Sequence, residues 1–505
     1  MPVRILSFIM SLILGSVIFA GDVWAAPRAV TIARTKVIPA CTRFVDAAAL
    51  AGGIGTVARP FKTIAAAVGA APAGAIICVA QGVYPEKLFP GIKPFTLAGG
   101  FQRGQGFSVR DSAVYISRAQ GNGAGSFLRI EDPGPTGSQL TAIDGFEITG
   151  YAQAIYRDYY VSQLFNITNN SIHDNVCGQP SLAGGGFALN NVTGTIRGNV
   201  FLRNRCDRGG AGFLNDSLNE NNVSVLNNRV ENNAGTEPVT SHGGALYFFV
   251  NKLTITGNAF IGNTVTGYGA GLFLGAYKPG GMFTNARLSW NTYRGNRAGV
   301  YGGGFFCDDG ASCTSAHEIY DGNCGGNIYV DGGSDGSAAT VARFDHLTNV
   351  RGRAVGCASA GPGVLIDKDN LVADTYSFTN AIFWGNAAGA DFFASCSRGC
   401  ASARINVSYS MVQTSYVNNG GLSIVFGPGI VAPKNPLFVD PPAGDFHLKS
   451  KSGHFTPTGL VIDAVSSPAL ARANPAGVSD LDPPCAGIRS ELGTFGNSAE
   501  ASCVP

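Results

Sequence analysis

The chain has 505 residues, a net charge of +2 and only 13% charged residues, which leaves no basic stripe for nucleic acid and no basic amphipathic helix for lipid. Glycine occurs 70 times, about twice its usual ~7% share, yet 45% of the residues are hydrophobic. Disordered glycine-rich chains lack that apolar content and collagen needs glycine at every third position, so the composition asks for many tight corners around a long core.

In chain order, Arg4 precedes an apolar run from Ile5 to Ala20, and small residues lie beside Trp24. This reads as a secretory signal peptide over 1–25, with a linker over 26–40. No later stretch is long and apolar enough to span a bilayer. The expectation is a secreted or cell-surface protein with no transmembrane segment in the mature chain. The 12 cysteines all follow the leader, and an oxidising compartment makes disulfides the default. Phe61 to Val68 carries a short helical pattern, expected to cover the open end of the first coil, where backbone groups would otherwise be unpaired.

A pattern of Asn, any residue, a large apolar residue, two residues and Asn then recurs. Its copies close on Asn175, Asn204, Asn233, Asn263 and Asn296, with spacings of 29, 29, 30 and 33 residues. A glycine-rich element followed by apolar residues alternates with it, as in Gly243-Gly244-Ala245-Leu246. Short β-branched segments such as Leu253 to Thr256 precede each Asn pattern and read as strands. Helical repeats would need Ala, Leu, Glu or Lys where Gly and Asn stand.

The fold class that follows is all-β: a right-handed, single-stranded parallel β-helix over 41–436 with a short N-terminal capping helix, then C-terminal coils and a closing cap over 437–505. Right-handed winding follows from the preference of parallel crossovers. Asn at the corners is expected to take the left-handed conformation and form a structural ladder from coil to coil. Cys177 and Cys206 each lie two residues after a ladder Asn, so stacked coils bring them within disulfide range. Cys41 with Cys78, Cys396 with Cys400 and Cys485 with Cys503 are further candidate pairs, since counting alone does not fix connectivity.

Three stretches resemble known proteins. Phe44-Val-Asp46, Ala75 to Ala80 and Leu97-Ala-Gly-Gly-Phe101 resemble the N-terminal coil of pectate-lyase-like β-helix proteins. Asn435-Pro-Leu-Phe-Val-Asp440 and Glu491-Leu-Gly-Thr-Phe495 resemble the closing segment of secreted bacterial β-helix proteins. The middle is similar to the passenger repeats of polymorphic outer-membrane proteins, which alternate Gly-Gly-Ala-apolar with Phe-x-x-Asn. Gly243 to Leu246, Phe201 to Asn204 and Phe260 to Asn263 fit that pattern. The resemblance implies a surface adhesin; no series of alternating strands of a terminal membrane barrel follows.

Candidate site residues are few. Arg205 and Arg297 stand at equivalent places, one residue after a ladder Asn, and suit a groove for a sugar acid. Tyr156 and Tyr159 belong to a Tyr-Arg-Asp-Tyr-Tyr cluster whose rings suit stacking on sugars. Asp367, Asp369 and Asn370 offer hard oxygens for Ca²⁺, the one cofactor implied. Asp308-Asp309 reads as a solvated loop tip, and the six histidines show no metal-ligand spacing. The expectation is an adhesin-like, non-catalytic protein that binds glycans or other surface ligands. The alternative is a polysaccharide lyase or related glycan-active enzyme acting on an acidic polysaccharide.

Overall fold

The computed structural model describes residues 36–505 apart from 92, 131–139, 159–160, 179–181, 218–220, 237–240, 276–283, 333–337, 355, 358–361, 370, 387–390, 413–416, 420, 457 and 478. The leader, most of the linker, Tyr159 and Asn370 therefore lie outside the described residues. No helix among the described residues is long and apolar enough to cross a membrane.

Three long parallel sheets run the length of a rod: a 14-stranded sheet A, an 11-stranded sheet B and an 11-stranded sheet C. One coil shows the plan. Val192–Arg197 lies in sheet A, Val200–Leu202 in sheet B and Gly212–Asn215 in sheet C, and the chain then returns to sheet A at Asn222–Leu226. Every pairing between these sheets' strands is parallel and, apart from a shift between Ala75–Ala80 and Phe95–Phe101, in register, so alternate residues stack into columns. In sheet A, Ile167, Ile196, Val225, Ile255 and Leu288 face the core one above another. In sheet B, Phe260, Tyr293 and Tyr320 stack nearly parallel, with ring centroids 4.9 and 4.6 Å apart.

Helix α1 (Ile64–Ala70) opens the fold. Thr63 caps it, the N–H groups of Ile64 and Ala65 donate to the Glu86 carboxylate, and Ile64, Ala67 and Val68 join the main core. The carboxylate answers both the orphan donors and the positive end of the helix.

Two corner ladders hold the coils together. The first runs through Asn170, Asn199, Asn228, Asn258 and Asn291, and the second through Asn175, Asn204, Asn233, Asn263, Asn296 and Asn323. In each, an Oδ1 accepts the backbone and side-chain N–H of the Asn one coil earlier, as Asn204 does from Asn175 at 3.2 and 2.9 Å. The left-handed conformation expected of these residues belongs instead to the residue before each: φ is 54° at Arg203, 53° at Asn232 and 61° at Gly295. The reason is steric: the turning residue points outward, which swings the following Asn into the core, where its amide can reach both neighbours.

The glycine element has a similar explanation. Gly209 turns the chain at φ 55°, and a Cβ on Gly210 would lie 2.5 Å from the Ala234 carbonyl oxygen of the next coil. The pair lets backbone pack on backbone where sheet C begins.

Glu318 replaces Asn at the end of the first ladder, accepting from the Asn291 backbone N–H at 3.2 Å and amide at 2.9 Å. Burial pushes its carboxyl from 4.5 up to about 8. The folded chain thus keeps a proton that the unfolded chain releases between those values, so stability is expected to fall as pH rises from about 4.5 to 8. Burial acts on Glu491 in the same direction, also to about 8. Burial alone would lower His447, but the Asp445 and Glu500 carboxylates raise it to about 9, which adds loss on the alkaline side. Glu318→Gln keeps the acceptor without the titration, so urea midpoints measured from pH 5 to 8 should show a shallower decline than in the parent.

At a corner between sheets C and A, Lys368 and Asp374 form an ion pair at 2.8 Å with both side chains 0% exposed. The Lys368 ammonium also donates to the Val372 carbonyl, and Asp374 accepts from Thr340 N–H and the Tyr376 hydroxyl.

All twelve cysteines are paired. The bonds are Cys41–Cys78, Cys177–Cys206, Cys307–Cys313, Cys324–Cys357, Cys396–Cys400 and Cys485–Cys503. Cys177–Cys206 staples two consecutive coils.

Residues 437–505 differ from the expected further coils. Their strands form two antiparallel hairpins, Phe438–Asp440 with Asp445–Leu448 and His454–Thr456 with Gly459–Val461. The segment then lies along the outer face of sheet B: Thr494 Oγ1 donates to the Glu318 carbonyl, Thr494 N–H to Thr348, and Gly493 N–H to the Asn380 carbonyl. Sheet B turns Ile319, Val350 and Ile382 outward here, and Phe446, Leu448, Leu470 and Leu492 cover them. An apolar outer face needs such a cover, which is why the tail packs along the side of the rod rather than closing its end.

Candidate functional site

The outer face of sheet C carries the most distinctive chemistry. Register places one outward residue per coil in a single column: Tyr156, Ala188, Phe213, Tyr247, Phe273, Phe306, Tyr329, Leu365 and Phe393. Neighbouring rings touch, with centroids 4.8 Å apart for Tyr247 and Phe273, 4.7 Å for Phe273 and Phe306, and 4.5 Å for Phe306 and Tyr329. Edge-to-face and offset contacts of this kind suit the ring quadrupoles.

Ala188 interrupts the column. With a methyl group where other coils place a ring, the backbone positions of Tyr156 and Phe213 stand two coil rises apart, ~10 Å, and a cavity of about 420 Å³ opens between them. Leu182 and Ala183 form part of its wall, Tyr247 and Phe249 its far end, and Gln153, Asn190, Asn215 and Arg208 its polar edge. The Arg129 guanidinium lies 4.9 Å from the Tyr156 ring centre, a cation–π contact that braces the ring. The Tyr156 hydroxyl donates to Asp158 at 3.2 Å, and Asp158 also accepts the Asn190 amide at 2.7 Å. Arg157, whose residue position faces inward, donates to the Asn191 and Val161 carbonyls and to Gln163, so it secures the corner beneath the cavity. The described lining contains no carboxylate, imidazole or ammonium group. The arrangement can hold a polar ring between aromatic faces; it offers no general acid–base pair.

A second row runs beside the rings. Asn190, Asn215 and Phe249 stack in it, and farther along Asp331, Asp367 and Ser395 do the same. Asp308, which follows Cys307 as Asp331 follows Val330, completes three carboxylates in three successive coils. Burial, with the Asp331 and Asp309 charges beside it, pushes the Asp308 carboxyl well above its ordinary range. Asp367 accepts the Ser395 hydroxyl at 2.6 Å, and Asp369 is exposed. Among the described residues no three Asp, Glu, His or Cys side chains converge into a group able to hold a metal ion. Of the calcium candidates, Asp367 stands in this row with the exposed Asp369 two residues on, while Asn370 lies outside the described residues.

Arg205 and Arg297 occupy one exposed row, joined through Ala234 and Thr264. They are three coils, ~14 Å, apart, on the turn after the second ladder. They line neither the sheet C cavity nor the two cavities beside the tail. Of the sequence candidates among the described residues, Tyr156 alone lines the sheet C cavity. Phe213, Phe249 and the gap at Ala188 went unnoticed; aligning the outward residue after each glycine element would have revealed the missing ring.

Residues 159–343 match the right-handed beta helix region family model. No curated protein matches the chain. Among solved structures, the chain is similar to pectate lyase Pel9A at 10% identity and a TM-score of 0.35, covering 92% of this chain and 98% of that one. It is also similar to the GH136 lacto-N-biosidase from Eubacterium ramulus at 11% identity and a TM-score of 0.30, covering 78% and 68%. The sheet topology and the matched central coils together establish the fold as a right-handed parallel β-helix.

Proposed function

We propose that the chain is an exported, non-catalytic rod that binds glycans, in the manner of an adhesin, with a saccharide ring held in the sheet C cavity. The observation that carries this reading is the single missing ring at Ala188, which leaves a slot flanked by Tyr156 and Phe213 and edged by amides and a guanidinium. Sugars present apolar C–H faces to aromatic rings and hydroxyls to amide and guanidinium groups. The six disulfides fit an oxidising compartment.

Ala188→Phe restores the ring that every neighbouring coil but one supplies. Titration calorimetry against oligosaccharides found on a glycan array should then show binding weakened more than about tenfold, with the melting temperature within a few degrees of the parent. Phe213→Ala should weaken the same ligands. If both variants bind as the parent does, the slot is not the site.

A second reading, a glycan-active enzyme acting on an acidic polysaccharide, draws on the Asp308, Asp331 and Asp367 row, which sets three carboxyl groups in successive coils beside one another. Incubation with alginate, pectate and glycosaminoglycans, with and without Ca²⁺, tests it through the ultraviolet absorbance of unsaturated products. Product formation that is lost in Asp331→Asn would replace the non-catalytic reading.

A further inference from the structure

The two ends of the rod are finished differently. At the N-terminal end helix α1 packs on the first strand of sheet A, Arg43–Val45, and Val45, Ile64 and Ala67 are all 0% exposed. At the far end the last strand of sheet A is Ser423–Phe426, paired in parallel with Arg404–Ser408, and among the described residues no strand lies beyond it. The tail, which could have crossed this end, runs along sheet B instead.

Phe426 shows what that leaves. It stands above Val407, Phe378 and Phe344 in an inward column of sheet A. Those three are 0, 0 and 2% exposed, whereas Phe426 is 40% exposed. Ile424 tops the neighbouring inward column, above Ile405 and Tyr376, and both it and Ile430 are only half-buried against the main core. On the outer side of the same strand Val425 is 41% exposed. The apolar cross-section of the rod therefore meets water here, which is unfavourable unless something covers it. The strand carries no charge, no proline and no register shift, the devices that ordinarily blunt an edge against pairing.

We infer that a second copy of the chain covers this end, related by a two-fold axis normal to sheet A, with the two Ser423–Phe426 strands antiparallel. Two observations select a copy of the chain in this orientation. Helix α1 closes the opposite end, so head-to-tail stacking finds no matching edge and a contact between like ends remains, which closes on itself as a dimer. The chain's own N-terminal arm does not reach: the fourteen strands of sheet A span thirteen spacings, ~60 Å, while the ten residues between the expected leader and Lys36 extend at most ~36 Å. The pleat then sets the register. An axis through Val425 places Ile424 of each copy opposite Phe426 of the other on the inner side, and the two Val425 side chains opposite one another on the outer side. A shift of one residue in the pairing would set inward residues against outward ones, and an axis through Ile424 would set Val425 against Ser423.

Sedimentation equilibrium of the full chain, with its disulfides formed, should give twice the monomer mass at micromolar concentrations. Val425→Lys sets two ammonium groups face to face on the edge and should return the mass to that of the monomer, with the melting temperature within a few degrees of the parent. Cross-linking reads the register. All twelve cysteines are already paired, so Val425→Cys adds a single thiol, and directly opposed residues of antiparallel strands stand about 4.5–5.5 Å apart between Cα atoms, within disulfide range. With oxidised glutathione this variant should form a covalent dimer about tenfold or more faster than Arg287→Cys, an exposed position five coils away in the same outward column. A monomer at every concentration, a dimer that survives Val425→Lys, assemblies larger than a dimer, or equal cross-linking of the two cysteine variants would each overturn the inference.

Discussion

Asn233→Ala should lower unfolding stability by about 3–5 kcal/mol, read as a shift of the urea midpoint at unchanged slope. Asn233 sits in the middle of the second ladder and is fully buried. Its Oδ1 accepts the Asn204 backbone N–H at 2.9 Å and amide at 3.0 Å, and its own amide donates to Asn263 at 3.0 Å, to the Phe201 carbonyl at 3.0 Å and to the Glu231 carbonyl at 3.1 Å. Truncation leaves donors and acceptors on two neighbouring coils without partners in a space water cannot readily enter. Each orphaned group costs about 1–3 kcal/mol, and partial relaxation keeps the total below the sum. Asn232 is the control. It is exposed and left-handed at φ 53°, so Asn232→Gly, which suits that conformation, should stay within about 0.5 kcal/mol of the parent. A loss at Asn232 as large as that at Asn233 would mean that turning, and not the ladder, holds the corner.

Lys368→Met should cost about 3–5 kcal/mol. The Asp374 carboxylate would stay in a site from which its cation has gone, with only the Thr340 N–H and the Tyr376 hydroxyl to answer it. The double variant Lys368→Met, Asp374→Asn should recover most of that loss, because the Asn oxygen can still accept the Thr340 N–H while its amide N–H donates to the Tyr376 hydroxyl oxygen, and no charge is left buried. Thermal or urea unfolding of the single and double variants gives the coupling between the two positions. Equal stability of the two would show that the penalty comes from lost packing of the lysine stem.

Much of the rod was legible because its register is local. Asn175, Asn204 and Asn233 recur at one period, and the same period aligns Cys177 with Cys206. The ladder became illegible where its chemistry or spacing changed. Glu318 takes the place of an Asn, and Asn323 passes its hydrogen bond to Asn327, only four residues on, where a period near thirty has no meaning. The sheet C cavity was hidden for another reason: Ala188 is unremarkable by itself and signifies only against the rings in the coils around it. Asp308, Asp331 and Asp367 looked like three unrelated loop residues, because connections of unequal length separate strands that the fold sets side by side. The tail was misread because its partner is the outer side of sheet B, and a segment's pattern does not say which side of a rod it will lie against.

The tail's position changes how the rod can come apart. In a solenoid each turn touches only the turns beside it, so fraying from an end can proceed one turn at a time. Here a single segment bonds to Glu318, Thr348 and Asn380, which belong to three successive turns. Loosening any one of them strains the segment's hold on the other two, so this stretch behaves less like a stack of coins than like a bundle held by a strap.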